Sequence, residues 1–488
     1  MFRKLNMVET MAENLFKQIL VPLRLRKSDI SGRVPLEEFF SDKSRIIYSS
    51  SFRRLQQKAQ VFSLELNSSV RSRLTHSLEV ADIGKILASR IARSLRDAEK
   101  ISAENAVEIP VVVENACLMH DIGNPPFGHF GEAALIKWAE DNLADYAKDM
   151  QLDYSVIKPL LADFYEFDGN PQGIRIVSRL HCEKDEFALN LTVPSLLAAV
   201  KYARTSGENN DGRKIKKKAG YFKSEEPLIE KAYKLIGWQK GCRYPLTYIM
   251  EAADDISYCL SDVSDAIAKG IIAPDDFLKE FHEMWAQKYG NEEIPVKSLA
   301  EKESVRDFGV EICIEISHKA VEAAAEEFVR RYEEFCNSSA EELITEDMPM
   351  GRVLNVIKAF SVKRIYQSKE AESIELSGYA VISGLLERYF GRLLTLTRVD
   401  FEAFVAGKKV SGRAYEQHLF NRLSKRCIKS YQEQLQKWLA DEKAVQRYGA
   451  DGLEWWLRVH LIVDHVSAMT DNFALFEYQM LEGIRINN

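Results

Sequence analysis

Residues 120–132 read HDIGNPPFGHFGE. Two histidines, an aspartate and a glutamate fall within thirteen residues that also hold three glycines and two prolines. Glycine and proline at that density specify a backbone path rather than a solvated coil. Upstream, residues 110–121 carry helical spacing. Pro110 suits a first helical turn, and Gly123 with Pro125 and Pro126 ends the helix. His120 and Asp121 therefore sit at a helix end. Neighbouring helical side chains diverge by about 100°, yet the pair can still clasp one ion lying over the terminus. Taken alone, a His-Asp dipeptide is more often a capping Asp beside a core His.

Working outward, residues 75–95 place Val80, Gly84, Leu87, Ile91 and Leu95 on one helix face. Thr75 is expected to cap that helix, with His76 at its start, just after Arg71 and Arg73. Residues 244–269 form another helix, stopped by Gly270. Within it, EAADDISYCLSD at 251–262 spaces Asp254, Tyr258 and Asp262 at i, i+4 and i+8, one stripe of one helix. Asp255 projects about 100° away from that stripe. Ala252, Ala253, Ile256 and Cys259 alternate with these residues, so the helix reads as largely buried. Buried carboxylates need a partner, and a cation is one. Residues 311–335 and 453–482 also read as helices, 205–220 reads as a loop, and short strands are expected at most near 374–376 and 409–411. The fold class is mostly α.

Composition bounds the function. The chain has 488 residues, 46% of them hydrophobic, with a formal charge of 66 − 73 = −7. The apolar share excludes a disordered chain, and 24 glycines with 13 prolines exclude collagen-like and low-complexity classes. No apolar run is long enough to span a membrane, and the N-terminus, MFRKLNMVETMAENLFKQIL, carries no secretory pattern. The seven cysteines are scattered, odd in number and free of any C-x-x-C pair, so a disulfide framework or structural zinc site is not expected. A reducing, cytoplasmic setting fits. Length alone suggests up to three domains.

His76, His120, Asp121 and Asp254 make a set of two imidazoles and two carboxylates. Mixed N/O ligation suits Mn²⁺, Fe²⁺, Ni²⁺ or, with water completing the shell, Mg²⁺. An ion with open positions can polarise a phosphate oxygen. His129 with Glu132 three residues on would supply an imidazole able to give or take a proton near neutral pH.

The H…HD…D pattern resembles the HD-domain metal-dependent phosphohydrolases. The longer string HDIGNPPFGHFGE is similar to the deoxyguanosine triphosphate triphosphohydrolase (dGTPase) family, within the wider dNTP triphosphohydrolases. Further strings agree: SSSFRRLQQKAQVF at 49–62, VRSRLTHSLEV at 70–80, FDGNPQGIR at 167–175, EAADDISY at 251–258, LSGYAVISGLL at 376–386 and VSAMTDNFA at 466–474. The resemblance implies an HD-domain helical fold: an N-terminal helical segment (1–45), an HD phosphohydrolase core (46–275), and a helical C-terminal region (276–488) that completes the substrate site and an oligomer interface.

It further implies metal-dependent hydrolysis of dGTP to deoxyguanosine and inorganic triphosphate, with water attacking the α-phosphorus and Mg²⁺ or Mn²⁺ as cofactor. His76, His120, Asp121 and Asp254 match the family's metal ligands, and His129 and Glu132 its catalytic pair. Arg73, Lys201, Tyr202 and Lys218 match phosphate and substrate contacts, and Asn170 another substrate-site position. Gln60 and Val61 match contacts to the sugar, Tyr258 the platform under the deoxyribose and Asp262 the 3′-OH acceptor. Glu375 matches a residue that a neighbouring subunit contributes, and Lys409 falls where related enzymes carry an Arg. Glu166 departs from a His found in relatives. The family's homohexamers imply an active site completed across subunits. Some members bind single-stranded DNA, for which the basic, aromatic-interleaved run 216–223 is the candidate. Two other readings stand beside this one: a dNTP triphosphohydrolase of broad base specificity, and a nucleic-acid-binding regulatory protein on an inactive HD scaffold.

Overall fold

In the computed structural model, residues 15–65, 67–181, 187–300 and 311–485 are described. Cys182 and the first fourteen residues of the N-terminal segment lie outside them. Helices α1 (Pro35–Ile47) and α2 (Ser50–Arg54) lead into α3 (Arg73–Asp97) and α4 (Ala103–Met119). Ser72, not Thr75, is the cap of α3. Its Oγ accepts the Thr75 N–H at 3.4 Å, and Thr75 Oγ1 accepts the Ser72 N–H at 3.1 Å, a reciprocal capping box. That start puts His76 in the first turn.

Pro110 lies inside α4 rather than at its first turn. The helix begins seven residues earlier behind Ser102, whose Oγ accepts the Asn105 N–H at 3.2 Å. An interior proline costs about 3 kcal/mol, and the unbroken burial of 108–119 offsets it. Next come α5 (Gly128–Asp149), α6 (Gly169–Arg175), α7 (Pro245–Ala268), α8 (Glu311–Arg330) and α9 (Pro349–Ser361). The C-terminal half adds α10 (Lys369–Leu393), α11 (Lys425–Ala440), α12 (Ala450–Ser467) and α13 (Asp471–Leu481).

Two expected helices are broken. Residues 311–335 divide at Arg331 into α8 and the short Tyr332–Cys336 helix. Residues 453–482 divide at 468–470, where Thr470 caps α13 by accepting the Phe473 N–H at 3.4 Å. The second break places Asp471 in a first helical turn. Neither expected strand forms: 374–376 lies within α10, and 409–411 is an irregular link. Among the described residues β-pairing is confined to isolated bridges such as Ala59 with Ser72. No described helix is long and apolar enough to cross a membrane, and the described cysteines are all unpaired.

Helices α3 and α4 pack along their lengths, and α7 crosses both. Gly84 sets how close they come. A Cβ there would stand 2.5 Å from Cys117 Sγ, 3.3 Å from Val113 Cγ1 and 3.4 Å from the Ala253 methyl. The three helices that carry His76, His120 and Asp254 thus converge on a position that has no side chain. One apolar core gathers α3, α4, α7, α8 and α9. A second gathers α5, α10 and α12 with the segment 157–167. Residues 120–132 pass from the first core at Ile122 to the second at Phe127.

Candidate active site

At the seam between the cores lies a cavity of about 480 Å³. Gln60, Val61, Arg73, His120, Asp121, His129, Glu132, Asn170, Lys201, Tyr202, Lys218, Asp254, Tyr258 and Glu375 all line it. His76 lies just beneath, fully buried. Its Nε2 stands 3.4 Å from Asp254 Oδ1, and His120 Nε2 stands 3.5 Å from the same oxygen and 3.6 Å from Asp121 Oδ2. Donor atoms of His76, His120 and Asp121 all fall within 4.8 Å of one another.

The ring orientations carry information. His120 Nδ1–H donates to the Cys117 carbonyl at 2.7 Å, which leaves the Nε2 lone pair aimed at the carboxylates. Nε2 of both His76 and His120 is buried without a hydrogen-bond partner. Buried polar atoms normally find partners, and lone pairs facing two carboxylates ask for a cation. This donor set fits one divalent ion.

Around it, Arg73 Nη1 donates to Asp121 Oδ2 at 3.0 Å, and the Asn124 amide donates to the other oxygen. Lys201 Nζ lies 3.6 Å from Asp254 Oδ2. Burial opposes ionisation of Asp254, but the His120 and His76 rings and the Lys201 ammonium outweigh it and hold the carboxyl far below the usual range. Lys218 pairs with Asp168, which also caps α6 by accepting the Asn170 N–H at 2.9 Å.

His129 opens to solvent, with its side chain 80% exposed, while Glu132 beside it is buried. Glu132 accepts from His129 Nδ1 at 3.0 Å and from the Gly169 N–H at 2.8 Å. The His129 pKa is raised, chiefly by that carboxylate. The turn before it is strained. Phe127 sits in the left-handed region at φ 60°, held by its N–H bond to Asp471 Oδ1 at 3.1 Å.

Residues 73–190 match the family model for the HD domain. The chain is 34% identical over 480 residues to the probable deoxyguanosinetriphosphate triphosphohydrolase of Pseudomonas aeruginosa strain PAO1, covering 91% of this chain and 92% of that protein. The chain belongs to the deoxyguanosinetriphosphate triphosphohydrolase family. Three of the four expected metal ligands fall inside the HD match, and Asp254 reaches the site from α7, beyond it.

Glu375 lines the cavity from α10 of its own chain. Lys409 does not line the cavity and lies exposed after Gly407. Asp262 is fully buried, and the Tyr366 hydroxyl sits between its carboxylate and the Tyr258 hydroxyl. Glu166 faces away, accepting from Arg204 at 2.6 Å and from the Gly207 N–H at 3.2 Å. In the run 216–223, Tyr221 and Phe222 are buried, so they offer no stacking face to a nucleic-acid strand.

Sequence reading missed Tyr366, Asn124, Asp168 and Asp471. Asn124, Asp168 and Asp471 lie inside the quoted strings, Asn124 and Asp168 within three residues of Asp121 and Asn170. Tyr366 lies outside them and carried no signal.

Proposed function

We propose that this chain is a dGTPase that hydrolyses dGTP to deoxyguanosine and inorganic triphosphate. The observation that carries the reading is the pair of buried, partnerless Nε2 atoms of His76 and His120 facing Asp121 and Asp254, beside an exposed imidazole backed by Glu132. His76, His120, Asp121 and Asp254 would hold the ion, Mn²⁺ or Mg²⁺. When bound, such an ion polarises a phosphate oxygen and neutralises charge that develops in the transition state.

The chain's own groups do the rest. Arg73, Lys201 and Lys218 draw the triphosphate into the cavity and offset its charge. Water adds to the α-phosphorus, the P–O5′ bond breaks, and the leaving deoxyguanosine oxygen takes a proton. His129 Nε2 moves that proton, because Nδ1–H is committed to Glu132 and fixes the tautomer. Tyr258 and Tyr366 pack the sugar end, where a ribose 2′-OH would be desolvated without a partner.

A second reading is broad base specificity: within one chain Lys409 does not line the cavity, so it places no ammonium beside Glu375 there. Product analysis with α-labelled dGTP and Mn²⁺ tests the first reading. Labelled triphosphate that is lost in Asp254→Asn supports it, and labelled dGMP with pyrophosphate rejects it. Rates on the four dNTPs within about tenfold of each other favour the second.

A further inference from the structure

Three segments distant in the chain meet beside the catalytic cavity: 58–61, 124–127 and 467–471. Ala59, Gln60 and Val61 form one part of the cavity wall, and Asn124, Phe127 and His129 form another. Asp471, in the first turn of α13, does not line the cavity and is 2% exposed. Its Oδ2 accepts the Ala59 N–H at 3.1 Å, and its Oδ1 accepts the Phe127 N–H at 3.1 Å. One buried carboxylate thus fixes the backbone of both parts of the wall. Lys58 joins the same three segments a second time: it is buried, and its ammonium donates to the carbonyls of Asn124 and Ser467. The Lys58 carbonyl accepts the Arg73 N–H at 2.9 Å, which ties in the start of α3.

The Phe127 turn needs such a hold. Its φ of 60° is left-handed, a conformation that a bulky residue keeps only where its surroundings over-determine it. A buried N–H without an acceptor is costly, so the turn is stable in this shape only with the carboxylate in place. From this turn α5 begins, with His129 as its second residue. The bond from His129 to Glu132 lies within α5 itself. The acidity of the ring is therefore set locally, whereas its location depends on the turn. A shift of about 1 Å in a catalytic group can cost about 10²-fold in rate.

We propose that Asp471 is a positioning residue: by holding the N–H groups of Ala59 and Phe127 it keeps the 59–61 wall and the His129 imidazole in one register, so that the ring meets the leaving oxygen. The proposal deepens the dGTPase reading and rests on it. The residue type follows from the task. An ionised carboxylate accepts at both oxygens and donates at neither, whereas an amide of the same shape would turn an NH₂ toward one of the two N–H groups.

Amide hydrogen exchange of the full-length protein, without substrate, reads the clamp. In Asp471→Ala the Ala59 and Phe127 amides should both exchange about tenfold or more faster, and in Asp471→Asn, which keeps one acceptor, at least one of them should. Turnover with Mn²⁺ reads the consequence, on dGTP and on its 5′-thio analogue, in which sulfur replaces the bridging O5′. A thiolate leaves without being protonated, so the analogue has little use for His129. Asp471→Asn should lower kcat on dGTP about 10²-fold, lower it on the analogue by less than about threefold, and keep KM within about threefold. Asp441 is the comparison: it accepts the Lys443 and Ala444 N–H groups at 3.0 and 3.2 Å and does not line the cavity. Asp441→Ala removes a cap from the same half of the chain and should keep both rates within about twofold.

Unchanged exchange at both amides in Asp471→Asn overturns the clamp. Equal losses on dGTP and on the analogue, or a raised KM with kcat kept, overturn the positioning of His129. Wild-type protein that turns over neither substrate rejects the dGTPase reading, and the exchange result still decides the clamp.

Discussion

Glu132 holds His129 Nδ1 at 3.0 Å with one carboxylate oxygen and the Gly169 N–H at 2.8 Å with the other. The imidazole is thereby tied to the start of α6, although it is itself exposed. Because the carboxylate favours the protonated ring, the His129 pKa lies above its ordinary value. Glu132→Gln keeps the shape and removes the charge, so the ring should titrate at lower pH, nearer 6.5. The inflection in the kcat profile that reports this imidazole should move to lower pH, and kcat should fall by about 10²-fold. A pH–rate series alongside an NMR titration of His129 checks both. An unmoved inflection would remove Glu132 from this role.

Asp262 gives a prediction about stability. Burial pushes its carboxyl up to about 7, against the lowering effect of the Tyr366 hydroxyl. In the unfolded chain the value is near 3.9. Between those limits the native state holds a proton that the unfolded state has lost, so stability falls as pH rises. Over roughly three units this amounts to at most ~4 kcal/mol. Asp262→Asn removes the dependence. In EDTA, urea unfolding of the wild type should weaken from pH 4 to pH 8 relative to the variant. Parallel curves for the two proteins would refute the assignment.

Gly84 tests the packing that brings the ligands together. Gly84→Ala puts a methyl 2.5 Å from Cys117 Sγ, an overpacking error that costs about 1–3 kcal/mol. Because α3 carries His76 and α4 leads into His120, the same change should also weaken Mn²⁺ binding. Cys117→Ala in the Gly84→Ala background removes the clashing sulfur and should restore part of both losses. A double-mutant cycle by thermal unfolding and Mn²⁺ titration measures the coupling. Additive effects would mean that the two positions do not set the helix separation.

How much of this was legible follows from what each residue needs. The grouping of His76, His120 and Asp121 was readable because such residue types are costly to bury without a cation, whereas Asp254 comes from the family resemblance, supported by its stripe among Ala252, Ala253 and Ile256. The mainly helical fold was readable from period. Helix ends were less so. Pro110 has the chemistry of a helix start, but burial of the following turns outweighs the lost hydrogen bond and keeps it inside α4. Ile374-Glu375-Leu376 alternates like a strand, yet α10 needs it helical to carry Glu375 to the cavity. Tyr366 was illegible, since its role comes from meeting Asp262 and Tyr258 about a hundred residues away in sequence.

The central claim is that water adds to the α-phosphorus of dGTP at the His76–His120–Asp121–Asp254 centre. Single-turnover hydrolysis in H₂¹⁸O with Mn²⁺, read by mass spectrometry of both products, tests it most directly. The account predicts one ¹⁸O in the inorganic triphosphate and none in the deoxyguanosine, with no turnover in Asp254→Asn. Label in the deoxyguanosine hydroxyl, or label divided between dGMP and pyrophosphate, would contradict it.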